Sequence, residues 1–251
     1  KRLLNHQLMA NFFPRWTNPL PLKIAVCLGV LGAAVVAGFA YYATPKAQRV
    51  GYQPSQPIPY DHALHVEQLG LDCRYCHSFV ESSGHANIPA ANVCWNCHQH
   101  VAKGSPKLAA LRSAVGVDVD HIALEGVAGE GHSIEWIRVH RAPDYVYFNH
   151  SAHVNRGVSC VSCHGKVNEM KVVYHAKSHS MGFCLDCHRE PEKHLRPLEE
   201  VYNMNYNAEE YLAQNLIEGA DGERITTQID FGRHLKAHWN INPKESCSTC
   251  H

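Results

Sequence analysis

Five copies of the pattern Cys-x-x-Cys-His punctuate this chain, at Cys73–His77, Cys94–His98, Cys160–His164, Cys184–His188 and Cys247–His251. They use Cys73, Cys76, Cys94, Cys97, Cys160, Cys163, Cys184, Cys187, Cys247 and Cys250, which is all but one of the 11 cysteines. Two thiols three positions apart, followed at once by an imidazole, offer two sulfurs and one nitrogen to a single planar ring from one short turn. This is the attachment pattern of c-type haem: the thiols form thioethers with the vinyl groups and the histidine takes the proximal face of the iron. The spacing predicts five covalently bound haem c groups, with His77, His98, His164, His188 and His251 as proximal ligands. Zinc is the rival chemistry, because paired C-x-x-C motifs make sites of four cysteines, or of two cysteines and two histidines. Zinc does not explain why a histidine follows every pair, nor why the chain carries 20 histidines in all. A redox-active dithiol needs one C-x-x-C near a βαβ pattern, which is not visible, and disulfides would not need the histidines.

The second axial positions come next. A haem that only exchanges electrons keeps both axial sites filled by protein, and His/His gives a lower potential than His/Met. Tyr60-Asp-His62-Ala-Leu-His65 stands before the first motif, and Phe148-Asn-His150-Ser-Ala-His153 stands before the third. Each block then holds a second motif, at Cys94 and at Cys184, so the chain contains two modules of one design. Histidines three apart share one turn yet can diverge toward two irons. The first of each pair, His62 and His150, is assigned to its module's first haem, and the second, His65 and His153, to a neighbouring one. His140, in Ile-Glu-Trp-Ile-Arg-Val-His, is the fifth distal candidate. Met181, Met170, His179, His175, His234 and His238 are second-rank candidates, while His85, His100, His121, His132 and His194 read as surface residues. Enough histidines exist to fill every iron, so no open iron and no catalytic residue is expected.

These side chains need elements to hold them. Lys+Arg and Asp+Glu number 23 each, so the polypeptide is formally neutral, and no basic stripe suggests nucleic acid. Periodic apolar segments are few beyond the N-terminal region. The expected fold is therefore a multihaem cytochrome, with short helices and irregular loops wrapped around five haems, little β structure and one N-terminal transmembrane helix. Leu22–Tyr42 is apolar apart from Lys23 at its edge, and as a helix it would span about 31 Å, enough for a bilayer core. Lys1, Arg2, Arg15 and Lys23 lie before or at its start, which predicts a cytoplasmic N-terminus and an extracytoplasmic haem domain on a bacterial cytoplasmic membrane. The length of the apolar run and the poor cleavage sequence after it favour an uncleaved anchor over a signal peptide. Ala25, Gly29, Ala33 and Ala37 form a small-residue stripe on which another membrane helix could pack. The expected organisation is residues 1–21 as a cytoplasmic or interfacial terminus, 22–43 as the anchor and 44–60 as a proline-rich linker. Residues 61–194 form a tetrahaem core, with modules 61–98 and 141–188 and a connector 99–140, and 195–251 form a C-terminal segment with the fifth haem. In that last segment a surface helix is expected at Glu199–Ile217 and a short one at Phe231–Trp239.

From Ile134 to Arg189 the chain reads IEWIRVHRAPDYVYFNHSAHVNRGVSCVSCHGKVNEMKVVYHAKSHSMGFCLDCHR. This stretch, with Tyr60–His98 and the C-terminal Cys-Ser-Thr-Cys-His, resembles the pentahaem cytochrome c subunit (ActA) of bacterial alternative complex III, and its modules look like class III, c7-type cytochromes. The resemblance implies an electron-transfer subunit of a quinol-oxidising respiratory or photosynthetic complex. An iron–sulfur subunit, polytopic quinol-binding subunits and a monohaem cytochrome would be its partners, with a soluble carrier or an oxidase as acceptor. His175 and His179 are extra histidines beside the fourth motif, which weakens the case for a methionine ligand there. A pentahaem reductase of the nitrite reductase type would carry a C-x-x-C-K motif, and the chain has none. A stand-alone anchored multihaem quinol dehydrogenase is the main alternative: it shares the anchor but lacks the fifth motif. A conduit cytochrome without a quinol link is the third reading.

Overall fold

The computed structural model describes residues 14–118, 120 and 131–251, so Lys1, Arg2, His121 and part of the 99–140 connector lie outside the described residues. The chain falls into two units divided after Gln48.

In the first unit a short turn at Arg15–Thr17 leads into α1, Leu20–Gln48. Its apolar side chains point outward, among them Leu22, Leu31, Val36 and Phe39. The span 15–42 has a mean hydropathy of 2.3 with nothing buried against protein, so this helix is long and apolar enough to cross a membrane. The expected linker starts later than position 44. Pro45 lies inside α1.

The second unit is built from short helices. α2 (Cys73–Cys76), α3 (Ala91–His98), α6 (Cys160–His164), α7 (Met181–Arg189) and α10 (Cys247–Cys250) each carry one Cys-x-x-Cys-His motif. A helical turn places positions i, i+3 and i+4 on one face, so both thiols and the imidazole project together. Polar caps start several of these turns: the Asp72 carboxylate accepts from the Arg74 N–H, and the Ser180 hydroxyl accepts from the Phe183 N–H. α4 (Ala109–Val115) belongs to the connector and ends at Gly116, whose φ of 77° is left-handed. α5 (His150–Val154) carries the second histidine pair, and the equivalent turn Ala63–Gln68 in the first module is π-helical. α8 (Ala208–Gln214) and α9 (Gln228–His238) complete the set.

Pairing between extended segments is confined, among the described residues, to two isolated bridges, Val158 with Leu195 and Glu218 with Arg224. The expectation of little β structure agrees with this. The helix expected over 199–217 does not form as one piece. A short turn at Leu198–Glu200 is followed by irregular chain, and a new helix starts only where the Asn207 side chain accepts from the N–H groups of Glu209 and Glu210. The helix expected at 231–239 begins earlier, at Gln228, because the Thr227 hydroxyl caps it through the Asp230 N–H.

Side-chain core is scarce and lies mostly outside the modules. Leu195, Leu212, Ile225, Phe231 and Leu235 form one buried cluster within the C-terminal segment. Val80, Val154 and Val201 form a smaller one where the two modules meet that segment. Neither module encloses an apolar core of its own size, as expected where prosthetic groups fill the interior.

Candidate haem-binding site

The two modules repeat in geometry as well as in sequence. The Tyr60 ring stacks on His65 at 4.5 Å and 23° and meets His62 edge-on at 4.6 Å and 83°. Phe148 does the same, with His153 at 4.6 Å and 23° and with His150 at 4.8 Å and 90°. One aromatic ring thus sets the angle between two imidazoles three residues apart. Packing alone accounts for it, because tyrosine and phenylalanine serve equally.

Backbone carbonyls fix which imidazole nitrogen is free. Nδ1 of His65 donates to the Asp61 carbonyl at 2.8 Å, and Nδ1 of His153 donates to the Asn149 carbonyl at 2.7 Å. Nδ1 of His150 donates to Gly84 O at 2.8 Å, across the module boundary. Among the motif histidines, Nδ1 of His77 donates to Asn87 O at 2.7 Å, that of His98 to Val101 O at 3.0 Å, and that of His188 to Lys244 O at 2.7 Å. Asn87 takes the left-handed φ of 57° that asparagine tolerates, and so turns its carbonyl to His77. With Nδ1 carrying the proton, Nε2 presents its lone pair, which is the state a metal ligand needs.

Distances between rings give the second test. With metal–nitrogen bonds of about 2 Å, two imidazoles on opposite faces of one ion have centroids about 6 Å apart. His65 lies 6.1 Å from His98, His150 lies 6.4 Å from His164, and His153 lies 6.2 Å from His188. His62 stands close enough to His77 for their charges to interact, and burial together with that neighbour holds its pKa down at about 4. Its Nδ1 is buried without a partner. In both modules, then, the first histidine goes with the first motif and the second with the second.

His140 behaves differently. Its Nε2 is buried and unpartnered, as a ligand's would be, and burial beside His179 and His175 lowers its pKa to about 4. Its ring, however, is edge-on to His164 at only 4.3 Å, too close for the two to face one ion from opposite sides. It joins His175 and His179 in a buried group, 5.4 Å and 5.8 Å away. His179 donates Nε2–H to the Cys163 carbonyl at 2.9 Å, which commits the nitrogen an iron would need. His175 is 1% exposed, with neither ring nitrogen partnered. Burial lowers its pKa too. Met181 is 69% exposed, whereas Met170 is buried against Gly165. His234 and His238 stack on each other at 6.0 Å on α9, among the residues of the C-terminal cluster. His251 packs against the Tyr145 ring at 5.2 Å, and the Tyr147 N–H holds the Cys250 carbonyl at 2.9 Å.

The thiols are free. Burial pushes the Cys163 thiol up to about 12. Among the described residues no group of three or more His, Cys, Asp or Glu side chains converges as a metal site. Sequence reasoning named candidate ligands but not the carbonyls of Asp61, Gly84, Asn87, Val101, Asn149 and Lys244 that hold their Nδ1 atoms, since a backbone acceptor leaves no mark on residue type.

Over 134 residues the chain is 29% identical to the multihaem cytochrome c subunit of menaquinone reductase from Nitratidesulfovibrio vulgaris (strain Hildenborough), a match covering 53% of this chain and 56% of that protein. The chain therefore spans about half the length of the curated relative it matches. No protein-family model matches. The likeness to a multihaem cytochrome c supports covalently bound haem c as the cofactor of the Cys-x-x-Cys-His motifs.

Proposed function

We propose that this chain is a membrane-anchored pentahaem c-type cytochrome that relays electrons inside a quinol-oxidising complex of the alternative complex III kind, toward an extracytoplasmic acceptor. The observation that carries the proposal is the set of imidazole pairs at 6.1 to 6.4 Å with Nδ1 tied to backbone carbonyls. Haem c, when bound, takes up and gives back one electron. The chain's part is to hold two imidazoles at each of the four motifs of the modules, to bury them and to bring the motifs close together. His150 Nδ1 donates to Gly84 O, Asn155 Nδ2 to Glu81 O and the Tyr147 N–H to Cys250 O, so segments that carry different motifs are neighbours. A site with both axial positions filled by protein leaves no place for a substrate, which favours relay over catalysis.

The name of the Nitratidesulfovibrio protein supports a link to quinol chemistry. An iron–sulfur subunit, polytopic quinol-binding subunits and a monohaem cytochrome are the proposed partners. α1, with its small residues at 25, 29, 33 and 37, is the proposed contact with them in the cytoplasmic membrane. The test is quinol-driven reduction of the haem α-band in gently solubilised native material and in the isolated chain. Reduction confined to the native assembly is expected. Reduction of the isolated chain would overturn the relay reading in favour of a stand-alone quinol dehydrogenase.

A further inference from the structure

The approach to the fifth motif is fastened to the fourth. His77 and His98 give their Nδ1–H to carbonyls 10 and 3 residues further along, inside or next to their own module. His188 instead reaches across 56 residues, to the Lys244 carbonyl at 2.7 Å. Lys244 stands just ahead of Cys247, where α10 begins. Beside this bond, Arg189 Nε donates to the Glu245 carboxylate at 3.2 Å. That ion pair is exposed and adds little energy. The His188 bond matters more, because it fixes which imidazole nitrogen is free. The segment that leads into the fifth motif therefore orients the proximal histidine of the fourth.

The distal side is joined to α10 as well. The Tyr147 N–H donates to the Cys250 carbonyl at 2.9 Å, and the Tyr145 ring lies 5.2 Å from His251. Phe148, the next residue along, stacks on His153 at 4.6 Å, and His153 stands 6.2 Å from His188. Main-chain bonds thus link the fifth motif to the supports of both histidines assigned to the fourth. The remainder of α10 faces outward. Cys247 and His251 are exposed, and Tyr145 and Tyr147 beside them are 66% and 76% exposed.

We propose that the haem attached at Cys247 and Cys250 is the neighbour of the haem attached at Cys184 and Cys187, and that it forms an outer end of the relay, joined to the other haems through the fourth. The inference rests on the haem reading given above. Lys244 and Tyr147 are positioning residues: their main-chain groups set where the fifth motif stands against the fourth. Charges close together in a partly buried setting act on each other more strongly than distant, screened ones. The potential of the fourth haem therefore depends on whether the fifth is present.

The experiment is a redox titration of the full-length holoprotein, with the haems counted by mass. Cys184→Ser with Cys187→Ser removes the fourth attachment and so identifies that haem's component in the titration. Cys247→Ser with Cys250→Ser removes the fifth attachment and leaves Lys244 and His251 in place. In this second variant four haems are expected, with one of the four midpoints moved, and the moved component is the one missing from the first variant. Four unmoved midpoints, or movement of a different component, would overturn the neighbourhood and leave the haem reading standing. Should the first variant fail to fold, the fifth attachment is removed in a His153→Ala background instead. There the moved component is expected to be the high-spin one, and movement of a low-spin component alone overturns the inference. A wild-type chain with Cys247 and Cys250 free of haem would sink the haem reading at the fifth motif and this inference with it.

Discussion

His65 and His153, the proposed distal ligands, are oriented by little beyond their own turn. Each donates Nδ1–H to the carbonyl four residues earlier and stacks on an aromatic ring, so its Nε2 is aimed before any metal arrives. Replacing either by alanine removes one axial nitrogen and nothing from the covalent attachment. His65→Ala and His153→Ala are each expected to convert one low-spin haem to high-spin, with the haem count unchanged, and the double variant converts two. Electron paramagnetic resonance and pyridine haemochrome spectra measure these quantities. A double variant with wild-type low-spin intensity would remove both residues from the ligand set. The exposed Met181 gives the contrasting case: Met181→Leu should leave every midpoint potential where it was. A lowered potential in that variant would mean that a His/Met haem exists.

At the scale of elements, the Cys-x-x-Cys-His motifs and the histidine pairs three apart were legible because a single helical turn expresses each spacing. Helix ends were less so. α1 outruns its apolar stretch and continues through Pro45 to Gln48. The 199–217 region breaks at a capping asparagine, where side-chain competition for the backbone outweighs helix propensity. Packing of α9 was not legible either. Gly232 lies against the short helical turn at Pro191–Lys193, so closely that a Cβ would strike the Glu192 carbonyl. Gln228 Nε2 ties the same junction by donating to the carbonyls of Glu192 and Leu195 at 3.1 and 2.8 Å. Gly232→Ala should destabilise the fold by about 1–3 kcal/mol through overpacking. Denaturant unfolding of the holoprotein reads this as a lower midpoint at unchanged haem content. An unchanged midpoint would mean that α9 can slide without cost.

For the whole molecule the decisive quantity is where apolar side chains are buried. The five residues of the larger cluster span only Leu195–Leu235, and the modules contribute just Val80 and Val154 to the smaller one. Domains this poor in side-chain core cannot offset their conformational entropy unaided. The remainder must come from the prosthetic groups, which explains why sequence periodicity is weak across 61–188. A chain made without haem attachment is therefore expected to be ordered unevenly. In hydrogen exchange its amides in α8 and α9 should keep measurable protection, because Leu212, Phe231 and Leu235 still pack together. Amides in α2, α3, α5, α6 and α7 should exchange at nearly unfolded rates, and attaching haem should slow them by orders of magnitude. Equal protection in both regions without haem would mean that the polypeptide alone specifies the modules, and that the histidine pairs stand at their spacing through packing rather than through the iron between them.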